Sequence, residues 1–134
     1  MRRMPARRVL AVVLRLAIVL AMASTVPMVA WAAPTKQAEA EIQALIGALE
    51  GSPCRFQRNG SWHDAAAARE HLLRKYDYLR RRDMADTAEL FIARGASRSS
   101  MSGKPYRIQC PGAADVDAAV WFNRELQRIR QRDA

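Results

Sequence analysis

The sequence predicts an α+β fold, with about four helices packed on a small antiparallel sheet that one disulfide staples. Three observations lead there. Apolar residues recur at steps of three and four in three stretches, the spacing of one helix face, and a fourth, shorter stretch is marked by its capping residues. Two brief runs alternate apolar with polar side chains and end in turn signals. The two cysteines, Cys54 and Cys110, stand at the start of the first run and the end of the second.

The elements follow in chain order. Thr35, after Pro34, is a suitable N-cap for a helix whose inner face carries Ala38, Ile42, Leu45, Ile46 and Leu49. Gly51 and Pro53 end it, because glycine tolerates the C-terminal turn and proline cannot continue a helix. Cys54, Phe56 and Arg58 then alternate with Arg55 and Gln57, and Asn59-Gly60 supplies a type I′ turn to residues around Ser61-Trp62. Asp64 starts a second helix with Ala68, Leu72, Tyr76 and Leu79 inward, while Glu70 with Arg74 and Asp77 with Arg81 form i,i+4 pairs outside. Asp86-Thr87-Ala88-Glu89 starts a short third helix through Leu90-Phe91-Ile92, ending at Gly95. A serine-rich loop, Ala96 to Gly103, leads to Tyr106, Ile108 and Cys110 alternating with Arg107 and Gln109. Pro111-Gly112 closes that strand. Asp115 is the expected cap of a last helix with Val116, Ala119, Val120, Phe122, Leu126 and Ile129 inward and Arg128, Arg130 and Arg132 at its C-terminal end, where the helix dipole favours cations.

Only antiparallel pairing brings Cys54 and Cys110 opposite each other. That register sets Phe56 against Ile108 and Arg58 against Tyr106, whereas parallel pairing leaves Cys54 beside Tyr106, too far from Cys110 for the ~5.5 Å Cα separation a disulfide prefers. Closing a loop of this length stabilises the chain by ~4 kcal/mol. The wide spacing of the cysteines suits a structural bridge, since a redox pair needs its second thiol close by, as in Cys-x-x-Cys.

The first 32 residues read as an export signal. Arg2, Arg3, Arg7 and Arg8 precede an apolar run from Val9 to Ala23, and Ala30-Trp31-Ala32 places small residues where a signal peptidase reads them. A stable membrane anchor is the poorer reading: Arg15 breaks the run, Pro27 follows it, and Leu16 to Ala23 falls well short of the ~20 residues of a spanning helix. Cleavage near Ala32 leaves residues 33–134 as a single small domain in the periplasm, an oxidising compartment. It also leaves 17 basic and 13 acidic side chains, a net charge of +4 instead of +9, so the high isoelectric point gives no case for nucleic acid. The positive balance suits an anionic envelope polymer, an acidic envelope protein or a small anion.

Several motifs carry a resemblance. Cys54-Arg-Phe56-Gln-Arg58-Asn59-Gly60, Ala68-x-x-His71-Leu72-x-x-Lys75, Thr87-Ala88-Glu89-x-Phe91-Ile92 and Ala96-Ser97-x-Ser99-Ser100-Met101-Ser102-Gly103-Lys104-Pro105-Tyr106-x-Ile108 resemble those of a domain-of-unknown-function family of small exported Gram-negative proteins, from about Glu41 to Leu126. The resemblance implies a periplasmic address. It implies no reaction, cofactor or catalytic residue.

The residues offer one candidate surface. Arg98 and Lys104 flank the hydroxyls of Ser99, Ser100 and Ser102, Arg94 lies nearby, and Arg58 and Tyr106 are brought close by the strand register. Arginines and free backbone amides in a glycine-punctuated loop can hold a phosphate, sulfate or carboxylate. The plainer reading is a loop whose serines bond its own backbone. Gly103-Lys104 is no P-loop, because Pro105 replaces the Ser/Thr and Arg98 stands where the first glycine belongs. Arg58 is also placed to stack on Tyr106, and Trp62 and Trp121 suit half-buried packing. His63 and His71, eight apart, lack the i,i+4 spacing of helix metal ligands. A serine of the loop with either histidine and an acid such as Glu89 would make a small hydrolase, but no G-x-S-x-G elbow is present. A non-enzymatic binding module, without cofactor or metal, is the favoured expectation, and a serine hydrolase the alternative.

Overall fold

A computed structural model describes residues 35–134, so the expected leader with Ala30 and Ala32 lies outside the described residues. Helix α1 (Lys36–Glu50) starts where Thr35 Oγ1 accepts the Ala38 N–H at 3.2 Å and ends at Gly51. It buries all five expected apolar positions and also Glu41, only 7% exposed. Strands β1 (Arg55–Arg58) and β2 (Ser61–His63) are joined by Asn59 (φ 50°) and Gly60 (φ 83°), the two positive φ values that a type I′ turn requires. Helix α2 (Ala65–Arg80) is capped by the Asp64 carboxylate and buries Ala68, Leu72, Tyr76 and Leu79.

Further along, β3 (Arg107–Gln109), β4 (Val116–Asp117) and helix α4 (Ala118–Asp133) complete the fold. The four-stranded sheet has the order β2-β1-β3-β4 with every neighbour antiparallel. Phe56 faces Ile108, as expected, and one step beyond the ladder Cys54 and Cys110 form the disulfide. The core joins Phe56 and Ile108 from the sheet to the inner faces of α1, α2 and α4.

Five local expectations need correction. Thr87, not Asp86, caps the short α3 (Ala88–Phe91), its Oγ1 accepting the Leu90 N–H at 3.1 Å. Beyond α3 the chain widens into a π-helical turn over Ile92–Ala96 instead of stopping at Gly95. Gly95 is buried inside that turn, where an added Cβ would stand 2.9 Å from a Phe91 ring carbon and 3.1 Å from Leu79 Cδ1. Asp115 does not cap α4: its carboxylate takes Arg107 Nε at 2.6 Å while Asp117 takes Nη1 at 2.7 Å. A guanidinium binds carboxylates more strongly than a neutral amide does, and Val116 and Asp117 pair with β3 as β4. Helix α4 therefore begins at Ala118, and its inward positions are Ala118, Phe122, Leu126 and Ile129. Val120 turns out to solvent at 42% exposure, and Val116 and Ala119 are only half-buried.

Finally, the β1–β3 ladder stops at Gln57 opposite Arg107, so Arg58 has no strand partner there. The Tyr106 N–H bonds Ser97 O instead, and Tyr106 O accepts the Ala118 N–H, both at 2.9 Å. The backbone of Tyr106 thus ties the serine loop to the start of α4. Its ring is covered by the Lys75 ammonium, 5.0 Å from the centroid, and not by Arg58.

Candidate functional site

A cleft of about 460 Å³ lies between the β1–β2 hairpin, α2 and the serine loop. The hairpin contributes Arg58, Asn59, Ser61 and His63, the helix His71 and Lys75, and the loop Ser99, Ser100, Met101 and Tyr106. Strand alternation explains the first group: Phe56 points into the core, so Arg58, two residues on, emerges on the same face at the sheet's end. Helix spacing explains the second, because His71 and Lys75 are four apart and flank the buried Leu72 and Tyr76. Phe56 supports the floor, its ring 4.9 Å from Tyr106 and 6.4 Å from His71 between centroids.

Polar contacts run through this floor in one chain. Arg58 Nη1 lies 2.6 Å from His71 Nδ1, His71 Nε2 lies 3.0 Å from the Tyr106 hydroxyl, and Lys75 Nζ lies 3.2 Å from the same hydroxyl and 2.8 Å from Arg98 O. A guanidinium can only donate, so Nδ1 accepts, and the imidazole proton sits on Nε2 and is donated to Tyr106. Burial, with the nearby charges of Arg58, Lys75, Arg74 and His63, pushes His71 from 6.5 down to about 4, which keeps the ring neutral. Burial also lowers the Lys75 pKa, helped by Arg58, and raises that of Tyr106, which holds the phenol protonated.

The serine loop is self-bonded. Ser97 Oγ donates to Ile92 O at 2.5 Å, Ser99 Oγ accepts the amides of Met101 and Ser102, and Ser102 Oγ accepts the Lys104 amide and donates to Asn59 Oδ1 at 2.7 Å. Ser99 and Lys104 are further tied backbone to backbone. The amides that would have made an anion nest are therefore spent on the loop itself. Of the residues singled out from sequence, the structure brings Arg58, Ser99, Ser100 and Tyr106 into the cleft, while Arg98, Ser102 and Lys104 are exposed and outside its lining. Arg94 bonds Met84 O, away from the cleft.

The loop-centred reading missed His71 and Lys75 as cleft residues. Their signal was the i,i+4 spacing beside a buried stripe, in a motif that the sequence shows. Both nitrogens of His71 are engaged by Arg58 and Tyr106, and among the described residues the hydroxyls of Ser97, Ser99 and Ser102 bond within the loop or to Ile92 and Asn59, with no hydrogen bond to a histidine. Among the described residues no group of three or more His, Cys, Asp or Glu could hold a metal, and no helix is long and apolar enough to cross a membrane.

A family model, described as a family of unknown function (DUF5329), matches residues 36–130. The chain belongs to that family. Among curated proteins, it is 43% identical over 89 residues to "Uncharacterized protein YfeK" of Salmonella typhimurium, covering 66% of this chain and 71% of that protein. No solved structure matches. The DUF5329 span contains every cleft residue and both cysteines.

Proposed function

We propose that this DUF5329 protein is an exported, non-enzymatic periplasmic module that holds an anionic group in the Arg58–Tyr106 cleft, after a leader over residues 1–32 is removed and residues 33–134 form the mature domain. The export reading rests on the leader pattern of the sequence together with the disulfide, which persists in an oxidising compartment. One observation carries the binding reading. The cleft is lined by two cations, Arg58 and Lys75, and by no carboxylate, and neither cation has an acidic partner within 4.0 Å among the described residues. Partly buried positive charge without a counter-charge is costly, and an anion relieves the cost.

The anion belongs to a small molecule, an envelope polymer or an envelope protein. The full chain, expressed with its own leader and purified from periplasmic extract, tests the reading by native mass spectrometry. A stoichiometric acidic molecule or partner that is lost in Arg58→Gln and Lys75→Met is the expected result. Bound species unaffected by both substitutions would move the site elsewhere.

A further inference from the structure

Building on the anion-binding reading, we infer that the cleft selects the dianionic phosphate of a phosphomonoester over a monoanion, and that the Tyr106 hydroxyl is a third donor to it beside Arg58 and Lys75. The first argument is charge. Arg107 is neutralised by Asp115 and Asp117, and Arg130 by Glu41 and Glu89. Arg58 stands close enough to Lys75 to add to the burial that lowers the Lys75 pKa, and neither cation has an acidic partner within 4.0 Å among the described residues. A monoanion balances one of the two, whereas a phosphomonoester carries ~2 negative charges near neutral pH and balances both.

The second argument is the direction of the hydrogen bonds. The Tyr106 oxygen lies within bonding distance of the His71 Nε2–H and of a Lys75 N–H, and both groups are donors in the arrangement that Arg58 imposes. Both acceptor positions of the phenol oxygen are thus taken. Its own proton has no acceptor among the described residues and is left for whatever occupies the cleft. Lys75 spends two of its three N–H groups, on Arg98 O and Tyr106, and keeps one, while Arg58 spends one of five on His71. The floor therefore offers donors only, from three side chains, and a terminal phosphate presents three acceptor oxygens. At about 460 Å³ the cleft has room for a sugar-sized group as well, with Met101, 98% exposed, as an apolar edge at its mouth.

Calorimetry on the full chain, with its disulfide intact, at neutral pH and low salt, tests this with inorganic phosphate, glucose 6-phosphate, dimethyl phosphate and acetate. Co-sedimentation with phosphatidylcholine vesicles, with and without phosphatidic acid, tests a lipid source of the same group. Phosphate or glucose 6-phosphate should bind at least about tenfold tighter than acetate or dimethyl phosphate. Tyr106→Phe, which keeps the ring, should lose about tenfold in phosphate affinity while staying folded at the assay temperature, with a lower melting temperature because His71 and Lys75 lose their shared acceptor. Lys75→Gln should erase the preference for the dianion. Capture by phosphatidic acid vesicles alone supports the same chemistry with a lipid as its bearer. Equal binding of acetate and phosphate overturns the inference but leaves an anion site, whereas no binding of any probe overturns both. Full affinity in Tyr106→Phe removes the third donor.

Discussion

Two arginines of this molecule are held in opposite ways. Arg130, on α4, makes a paired contact with Glu41 of α1, Nε to Oε1 at 2.9 Å and Nη2 to Oε2 at 3.0 Å, and its Nη1 reaches Glu89 Oε1 of α3 at 2.6 Å. Arg58, on β1, spends one N–H on a neutral imidazole and meets no acid. In the first cluster the cation is fully countered, by two carboxylates, and three helices are tied together, so the chemistry is finished within the chain. In the second, charge is left over at a cleft. A saturated ion network reads as architecture and an unsaturated one as a place for something else, although the two use the same residue type.

The comparison can be broken from the sheet side first. Cys54→Ser with Cys110→Ser should lower stability by ~4 kcal/mol, seen as a drop in melting temperature, and reduced wild type should match the variant. Because the bridge holds β1 beside β3, ligand binding should weaken with it, while the Arg130 network should persist. Equal stability of oxidised wild type and variant would remove the staple from the account.

Next in size is Glu41→Ala, which leaves half of the Arg130 fork facing a buried gap. A loss of about 2 kcal/mol in denaturant unfolding is expected, with affinity at the cleft unchanged. Glu89→Ala, at an exposed position, should cost under about 1 kcal/mol. A cleft that responds to Glu41→Ala would show that the two clusters are coupled.

Acid should then separate the clusters by pH window. His71 is depressed from 6.5 to about 4 in the folded chain, so on acidification the unfolded chain takes up this proton first. The His71 contribution is whole above pH 6.5 and falls away as pH drops through 6.5 toward 4, by about 1 to 2 kcal/mol once solvent screening at the cleft is allowed for. Glu41 and Glu89 are held below the usual carboxylate range by the hydrogen bonds of Arg130, so their contribution is present above the ordinary glutamate value and fades below it. His71→Asn should flatten the higher window and spare the lower one.

Arg58→Gln should change stability least, by under about 1 kcal/mol in either direction, since it removes one hydrogen bond and one unneutralised charge. Its effect belongs on binding. A large stability loss would make Arg58 a structural residue and undo the contrast with Arg130.

Where sequence patterns matched the structure, one physical signal dominated: helix periodicity for α1 and α2, the Asn59-Gly60 turn, and the cysteine positions that allow a single register. They failed where two groups competed for one partner. Asp115 looked like a cap because nothing in the local sequence shows that Arg107 would claim its carboxylate, and β4 is too short to leave an alternating signature. The serine loop attracted attention through its composition, yet its hydroxyls satisfy its own amides. Arg58 and Tyr106 follow from a register that stops one pair short of them, at Gln57 opposite Arg107, yet both reach the cleft. Lys75 was passed over because its role depends on a loop carbonyl and a phenol that α2 meets only in the folded chain.

The disulfide joins residues 56 positions apart, and every side chain that lines the cleft, from Arg58 to Tyr106, falls between its two ends. The bridge thus closes a covalent ring that contains the whole cleft, while α1 and α4 hang from it as tails. A protease that cuts the exposed Ser100–Lys104 segment would nick the ring without releasing either half of the site. What the bond secures against such damage is that the two halves stay partners, one to one, within a single molecule.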